Sequence, residues 1–357
     1  MEQNIPVAAG PSRKRTAAAS DKPVLKSAAP ANSPVSSTRP PQTEPAILPD
    51  SPESPASPVS MKSRFHRVKA AMETTMHTLF LLCGIVAVAF VLFISIYLII
   101  SGIPAIREVG LWEFLFGQTW DPGNAQNPAY GILPFILTSV YGAAGAILIG
   151  VPVGLMTAVF LAKIAPPKVA AVIQTAVELL AGIPSVVYGL VGMIVLLPLI
   201  QKLFDLPSGA TLLAAIIVLA IMILPSIINV STTALKAVPK EYEEASLALG
   251  ATKIETIFRV SIPAAKSGIA TSVVLGVGRA IGEAMAIIMV SGNVANMPGL
   301  FTSVRFLTTA IASEMSYAPV GSLQRNALFS IGLVLFLFIM LINLVLNLFI
   351  KKKKEGE

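Results

Sequence analysis

The sequence predicts an all-α, polytopic membrane protein with six transmembrane helices, and two observations carry that prediction. The chain has 357 residues, of which 54% are hydrophobic and only 13% are charged, whereas about a quarter of the residues in soluble domains are charged. The apolar residues are also gathered into six runs, each of about 20 residues or more and therefore long enough to cross a bilayer as a helix. Because the runs are continuous and do not alternate, they indicate helices rather than barrel strands.

The region before the first apolar run differs from the rest of the chain in composition. Residues 1–68 include the segment PVSSTRPPQTEPAILPDSPESPASPVS, which is rich in proline, serine and alanine. Such a segment cannot bury enough apolar surface to offset the entropy of ordering, so we predict a disordered cytoplasmic tail over 1–68. No apolar stretch follows the early basic residues, which argues against a signal peptide.

The six runs form one transmembrane domain over 69–354. Lysine and arginine accumulate on the cytoplasmic side of membrane proteins. The tail, the connections on its side of the membrane and the C-terminal KKKK hold 21 of them, against four in the opposite loops. Both termini are therefore predicted to be cytoplasmic, in a multi-pass protein of the cell membrane. The predicted spans are 76–100, 132–161, 169–200, 211–235, 267–290 and 327–350, with a longer cytoplasmic loop at 236–266.

The loop at 236–266 has the features of a folded docking element. Its first acidic residues suit the N-terminus of a short helix, which Gly250 can end or turn. Thr252 suits the N-cap of a second short helix. The apolar face of that helix is predicted to consist of Ile254, Ile257 and Phe258. A helix-turn-helix that presents an apolar knob to the cytosol is a shape that docks a partner.

The same loop resembles the EAA motif of ATP-binding-cassette importer permeases. That motif runs Glu, Ala, a small residue, three residues, Gly, nine residues, an aliphatic, one residue, an aliphatic and Pro. Its positions here are Glu244, Ala245, Ser246, Gly250, Val260, Ile262 and Pro263, with Ser246 in place of the second alanine. The resemblance implies the type I importer permease fold and a coupling helix that docks on a separate ATPase subunit. Since the sequence contains no Gly-x-x-x-x-Gly-Lys loop, ATP and magnesium are expected on that partner and no cofactor in this chain.

Charged residues inside the predicted spans indicate a substrate pathway. Arg279 and Glu283 share a predicted helix face in the fifth span and Glu178 lies in the third, all about 15 to 25 Å from the cytoplasmic ends. A charge at a helix centre costs about 2.5–3.5 kcal/mol, so these residues are expected to avoid lipid. We predict that they line a polar pathway in which Arg279 meets an oxyanion through paired hydrogen bonds. The alternative is a structural salt bridge that holds spans three and five together without touching substrate.

The stretches around these charges are similar to the permeases of phosphate importers. The similar segments are AVELLAGIPSVVYGLVG at 176–192 and LGVGRAIGEAMAIIMVSGN at 275–293. The similarity implies a permease subunit that performs no covalent chemistry and is not an enzyme. Its implied partners are a second homologous permease subunit, two copies of an ATPase subunit, an extracytoplasmic phosphate-binding protein and the lipid bilayer.

Other functions stay open on the sequence alone. Sulfate or molybdate can replace phosphate, since an arginine recognises any tetrahedral oxyanion. A secondary transporter driven by an ion gradient would carry protons on Glu178 and Glu283, and a membrane scaffold or sensor would use the tail as an interaction arm. His66 and His77 lack partner ligands at metal spacing, so no metal site is expected, and no nucleic acid is expected as a partner.

Overall fold

The computed structural model of the protein describes residues 59–124 and 126–355, most of which are helical. The predicted all-α class is confirmed, with one addition, an antiparallel hairpin of β1 (Trp120–Asp121) and β2 (Ala129–Tyr130). Single π-helical turns at Phe160–Ile164, Gly192–Leu196 and Ile257–Ser261 continue neighbouring helices. The α-helices are α1 (Val59–Val109), α2 (Leu111–Phe116), α3 (Leu133–Val159), α4 (Pro167–Gly182), α5 (Ser185–Val191), α6 (Leu197–Leu203), α7 (Leu212–Lys236), α8 (Lys240–Ala248), α9 (Lys253–Thr256), α10 (Ile262–Ala264), α11 (Lys266–Gly282), α12 (Met285–Val290), α13 (Leu307–Glu314) and α14 (Leu323–Glu355).

Within the described ranges, five helical stretches are long and apolar enough to cross a membrane. A sixth is counted if the pair Lys253–Ala264 and Lys266–Gly282, bent by 71° with respect to each other, is taken as one span. The chain is therefore a multi-pass membrane protein, as predicted. The five stretches are Met72–Val109, Leu133–Ile164, Ser185–Leu203, Leu212–Lys236 and Leu323–Leu346.

The predicted disordered tail of 1–68 extends too far toward the C-terminus. Residues 1–58 lie outside the described residues, whereas α1 already begins at Val59. From there the sequence contains no proline until Pro104, so nothing interrupts the backbone hydrogen bonds of a helix. Of the two units into which the chain divides, Met1–Ala70 is described only as this first part of α1, and Ala71–Glu357 holds all other elements.

The core of the bundle is built around α7, against which α3 and α11 pack. Small residues at such an interface let two backbones approach closely, which is how helices associate in lipid. A hydrogen bond of 2.8 Å between the hydroxyls of Ser231 and Ser272 fixes α11 on α7. In α3, glycines lie against isoleucines of α7, in the pairs Gly145 with Ile216, Gly150 with Ile223 and Gly154 with Ile227.

A second hydrophobic cluster is formed by the hairpin, α13 and the first part of α14. At its edge the Glu314 carboxylate accepts hydrogen bonds from Trp120 Nε1 at 3.0 and 3.1 Å and from Gln324 Nε2 at 3.2 Å. Arg305 forms a salt bridge with the same carboxylate. We call these residues, Trp120, Arg305, Glu314 and Gln324, the Glu314 cluster. It joins segments that are far apart in the sequence.

The predicted spans at 169–200 and 267–290 are not continuous helices. α4 ends at Gly182 and α5 begins at Ser185, because Pro184 has no N–H to donate and disfavours helix at the residue before it. α11 ends at Gly282, and Glu283 is extended before α12 begins. α12 packs against α5, and a Cβ added to Gly189 would lie 2.9 Å from Ala286. The two interrupted spans therefore meet beside their breaks.

Candidate functional site

The guanidinium group of Arg279 has no bonded partner among the residues that the structure describes. Arg279 lies near the end of α11, about 20 Å along the helix from Lys266, and it is half-buried. No hydrogen bond or salt bridge joins it to another described residue. The glycines on either side of it, Gly278 and Gly282, have open space beside them, since an added Cβ would meet nothing within 4 Å. An unpaired cation at this depth costs about 2.5–3.5 kcal/mol, so stability does not explain it.

Glu283 does not pair with Arg279, and the predicted arrangement of the two on one helix face is wrong. The helix ends before Glu283, whose backbone has φ −74° and ψ 134°. Its Oε1 accepts a hydrogen bond of 3.0 Å from the N–H of Ala286, and its carbonyl accepts one of 2.7 Å from Thr308 Oγ1. A glycine destabilises a helix interior, and Glu283 gains bonds outside α11, so the chain leaves the helix after Gly282.

Glu178 belongs to a separate polar cluster between α4 and α7. Gln174 Nε2 donates hydrogen bonds of 2.9 Å to Glu178 Oε1 and to Asn229 Oδ1. Gln174 Oε1 is buried and has no hydrogen-bond partner in the described part of the chain. Between described residues, no salt bridge links Glu178 to Arg279 or Glu283. The alternative of a salt bridge that ties span three to span five is therefore not realised.

The break between α4 and α5 lies near the break that follows α11, since α5 packs against α12. The hydroxyl of Tyr188 donates a hydrogen bond of 2.5 Å to the Leu180 carbonyl, across the break. Non-helical backbone at membrane depth is tolerated where it is buried in protein or lines a water-filled cavity. The adjoining cavity of 390 Å³ has an almost wholly apolar lining, so it offers no anion site of its own.

The loop at 236–266 folds into two short helices, α8 and α9, as the sequence predicts. Gly250 between them has φ +88°, a left-handed conformation that favours glycine. Thr252 caps α9 through reciprocal hydrogen bonds with Glu255. The hydroxyls of Ser246 and Thr256, 2.9 Å apart, hold the two helices together. Ser246, the small third residue of the EAA-like motif, therefore makes its hydrogen bond within the loop.

The apolar face of this loop differs from the prediction. Ile257 is 3% exposed and packs with Leu235, whereas Ile254 and Phe258 are 66% and 48% exposed. The reason is the π turn at Ile257–Ser261, which departs from the 3.6-residue period on which the predicted face depended. Among the EAA-like positions, Glu244, Ala245, Gly250 and Pro263 are exposed, and Ser246, Val260 and Ile262 are half-buried.

Two carboxylates of the loop have lowered pKa values. Burial alone would raise the pKa of Glu243, but hydrogen bonds from Lys163 and Ser261, together with the charges of Lys163 and Lys253, outweigh it. Hydrogen bonds from the backbone and hydroxyl of Thr252 lower the pKa of Glu255. Both side chains are therefore ionised at neutral pH. In the ranges described, no group of three or more His, Cys, Asp or Glu is placed to hold a metal ion.

The stretch that contains both the loop at 236–266 and Arg279 matches a known family. The model for the binding-protein-dependent transport system inner membrane component covers residues 150–354, more than half of the chain. The chain belongs to this family. Members of the binding-protein-dependent transport family are membrane components of transport systems, so the chain is a transport subunit, as the resemblance implied.

Individual relatives resemble more of the chain than the family model covers. The probable ABC transporter permease protein YqgH of Bacillus subtilis is 42% identical over 73% of this chain and 86% of its own length. The phosphate transport system permease protein PstC of Haemophilus influenzae is 34% identical over 73% of this chain and 90% of its own length. A probable PstC of Methanocaldococcus jannaschii is 31% identical over 76% and 91%.

Two solved structures show the fold of this family member. A bacterial alginate ABC transporter in complex with a pentasaccharide-bound periplasmic protein gives a TM-score of 0.53 at 17% identity, covering 79% of this chain and 94% of that chain. An inward-facing MetNI methionine ABC transporter gives a TM-score of 0.50 at 18% identity, covering 62% and 95%. The predicted type I importer permease fold is confirmed.

Sequence reasoning missed several polar residues around the site of this permease. Gln174 precedes Glu178 by one helical turn, and that spacing was a usable signal for its hydrogen bond. Asn229 is a polar residue in an otherwise apolar span and marks the same cluster. The hydrogen bond from Thr308 to Glu283 carries no local signal, because only the fold brings these two segments together.

Proposed function

We propose that this chain is a permease subunit of an ATP-driven phosphate importer and forms half of the path by which the anion crosses the membrane. The observation that carries the proposal is Arg279, a mid-span cation that has no bonded partner among the described residues and has open space beside its flanking glycines. An anion that passes through this space supplies the missing negative charge. Phosphate is the first choice because it is named for several of the relatives.

The chemistry of the side chains around this position supports an oxyanion. The planar guanidinium of Arg279 donates two parallel hydrogen bonds to a tetrahedral oxyanion. Glu283 and Glu178 keep the local charge from holding the anion too tightly, since transport needs release as well as entry. The bonds of Glu283 and Glu178 to Ala286 and Gln174 leave Arg279 unneutralised within this chain.

The partners follow from the docking loop and the family. The chain pairs with a second homologous permease subunit, two copies of an ATPase that holds ATP and magnesium, and an extracytoplasmic phosphate-binding protein. The exposed Leu249, Ile254 and Phe258 offer the apolar surface that docks in a groove of the ATPase. ATP binding draws the two permease loops together and switches the path between outward-open and inward-open states. Both termini and the docking loop are then cytoplasmic.

The test is transport by the reconstituted complex in vesicles of phosphatidylethanolamine with anionic phosphatidylglycerol. With ATP inside and binding protein outside, labelled phosphate is expected to accumulate and to stimulate ATP hydrolysis, while equal concentrations of sulfate and molybdate do neither. A complex with a hydrolysis-deficient ATPase is the control.

Two outcomes would overturn the proposal. Stimulation by sulfate or molybdate in place of phosphate would assign another oxyanion. Uptake that survives without ATP but collapses with the proton gradient would identify a secondary transporter.

A further inference from the structure

The first helix of the docking loop, α8, has no apolar anchor. None of its residues is buried, and its exposed side chains include Tyr242 and Leu247. Its packing neighbours are α9 and the π turn at Ile257–Ser261. A helix that receives a displacement from a partner needs an attachment to the membrane-spanning part, and in α8 that attachment has to be polar.

Glu243 provides this attachment. Its Oε1 accepts hydrogen bonds from Lys163 Nζ at 2.5 Å and from Ser261 Oγ at 2.9 Å. The side chains of Lys163 and Glu243 are only 11% and 25% exposed, so this pair is less screened by water than an ordinary surface pair. We call Lys163, Glu243 and Ser261 the Glu243 junction. None of its members belongs to the EAA-like positions.

Both partners of Glu243 lie in π turns. Lys163 belongs to Phe160–Ile164, which continues α3 at the cytoplasmic end, and Ser261 belongs to Ile257–Ser261. Single π turns are rare and frequently mark functional sites. A π turn closes i→i+5 hydrogen bonds where the adjoining helix closes i→i+4 bonds, so each turn is a place where the hydrogen bonding of the helix changes.

Beyond the junction, packed helices continue toward Arg279. α3, the helix that ends in the π turn of Lys163, packs against both α7 and α11. α11 carries Arg279 and is tied to α7 by the hydrogen bond between Ser231 and Ser272. A displacement of α8 that reaches Lys163 is therefore transmitted through contacts between spans.

We propose that Glu243 is a positioning residue, which ties α8 to the end of the second span so that movement of the docked loop is passed to the helices around Arg279. This inference rests on the proposed function, because it assigns a role within ATP-driven transport. It predicts that breaking the junction uncouples ATP hydrolysis from uptake. A residue that serves only folding would affect both in proportion.

The experiment compares variants in the full complex. Glu243→Gln and Lys163→Met are expected to lower phosphate uptake about tenfold while ATP hydrolysis stays within about twofold of wild type. The double variant is expected to be no worse than either single one, because the two residues act through one bond. Lys163→Arg, which keeps the charge and a donor, is expected to remain coupled.

Matched controls remove charges outside the junction. Glu241→Gln changes the same helix and Lys168→Met changes the first turn of α4. Both residues are exposed, so both variants are expected to behave as wild type. Normal uptake by Glu243→Gln would overturn the proposal. So would a parallel loss of hydrolysis and uptake, which would mean that the junction serves folding or assembly.

A second readout separates this proposal from failure of the proposed function, because it needs ATP but no transported anion. Labels are placed at Lys240→Cys in α8 and Met156→Cys in α3, both exposed, with Cys83→Ser to remove the native thiol. In the wild-type background the distance between labels is expected to stay constant on ATP binding. In Glu243→Gln it is expected to change by more than about 2 Å. If the distance between the labels changes equally in both backgrounds, the proposed role of the Glu243 junction is wrong, whichever anion the complex transports.

Discussion

Arg305 and Arg279 are two arginines in folded, half-buried surroundings, and their bonding differs completely. Arg305 forms a salt bridge with Glu314, donates hydrogen bonds of 3.0 and 2.8 Å to the Asn293 carbonyl, and lies 5.9 Å from the centre of the Phe135 ring. Arg279 forms no hydrogen bond or salt bridge with any described residue. The guanidinium of Arg305 is therefore bonded within the chain, whereas that of Arg279 is not bonded to any described residue.

This difference in bonding affects what each arginine contributes to stability. A half-buried charge that is paired and hydrogen-bonded is compatible with stability, whereas one that is unpaired lowers it. Arg305 links the loops of the Glu314 cluster, so its bonds account for its presence. Arg279 has no such bonds to account for it, and the proposed function supplies the missing partner as an anion that crosses the membrane. Proteins accept such costs at functional positions.

The largest expected effect is the loss of transport in Arg279→Ala. Each hydrogen bond to a charged group contributes about 1.5–3 kcal/mol, so losing two lowers uptake at least about 100-fold. Stability is expected to stay equal or to rise, because an unpaired charge is removed. Arg279→Lys keeps the charge but cannot donate two parallel hydrogen bonds, so its uptake is expected to lie between that of wild type and that of Arg279→Ala. Uptake by the complex and the thermal midpoint of the purified chain are the measurements.

Two results would contradict this distinction between Arg279 and Arg305. If both Arg279 variants transport normally and assemble normally, the guanidinium has no contact with the anion. If Arg279→Ala instead unfolds, the residue is structural and belongs with Arg305.

Arg305→Ala is the opposite case, with a large effect on stability. It leaves the Glu314 carboxylate, 17% exposed, without its cation, and breaking such a pair costs about 3–5 kcal/mol. Uptake per folded complex is expected to change little. Denaturation of the purified chain measures the first quantity and uptake normalised to assembled complex the second. Arg107→Ala, at an exposed position, is the control and is expected to leave both unchanged.

The sequence was sufficient to predict that Arg279 lies within a span, but not that it has no hydrogen bond or salt bridge to another described residue. A charge within an apolar run is visible along the chain, and so are the runs themselves, because both depend on consecutive residues. Whether Arg279 is paired depends on where Glu178 and Glu283 point. Glu178 is bonded to Gln174 in another cluster, and Glu283 leaves the helix after Gly282. The geometry of i and i+4 residues predicts contact only where the helix continues.

The breaks in spans three and five were predictable to different degrees. Pro184 inside a predicted span is a direct signal, since a proline interrupts the hydrogen bonds of a helix. The break at Glu283 follows a glycine, but it is also held by Thr308, which is 25 residues away. The predicted apolar face of α9 was wrong because the π turn that follows it departs from the 3.6-residue period. Local rules therefore describe the spans better than their interruptions.

A smaller effect is expected when a neighbour of Arg279 is changed. Tyr188→Phe removes the hydrogen bond to the Leu180 carbonyl across the helix break, which lowers stability by about 1 kcal/mol. Uptake is expected to stay within about threefold of wild type, since the Tyr188 hydroxyl already has an acceptor. Tyr141→Phe, at an exposed position of α3, is the control. A loss of uptake as large as that of Arg279→Ala would place the Tyr188 hydroxyl on the anion as well.

The smallest expected effect tests a third charged group, Glu243, which is paired like Arg305 but belongs to the loop that we propose to move during transport. The bonds from Lys163 and Ser261 lower its pKa below the ordinary value of 4.5, so the folded state favours the ionised carboxylate. The resulting stability is fully present above about pH 4.5 and is lost as pH falls through the lowered pKa. The difference in thermal midpoint between wild type and Glu243→Gln is therefore expected to shrink as pH falls from about 6 to about 3.5. Glu241→Gln, whose carboxylate has no bond to a described residue, should show no such trend, and a constant difference for Glu243→Gln would mean that its ionic bonds do not stabilise the docking loop.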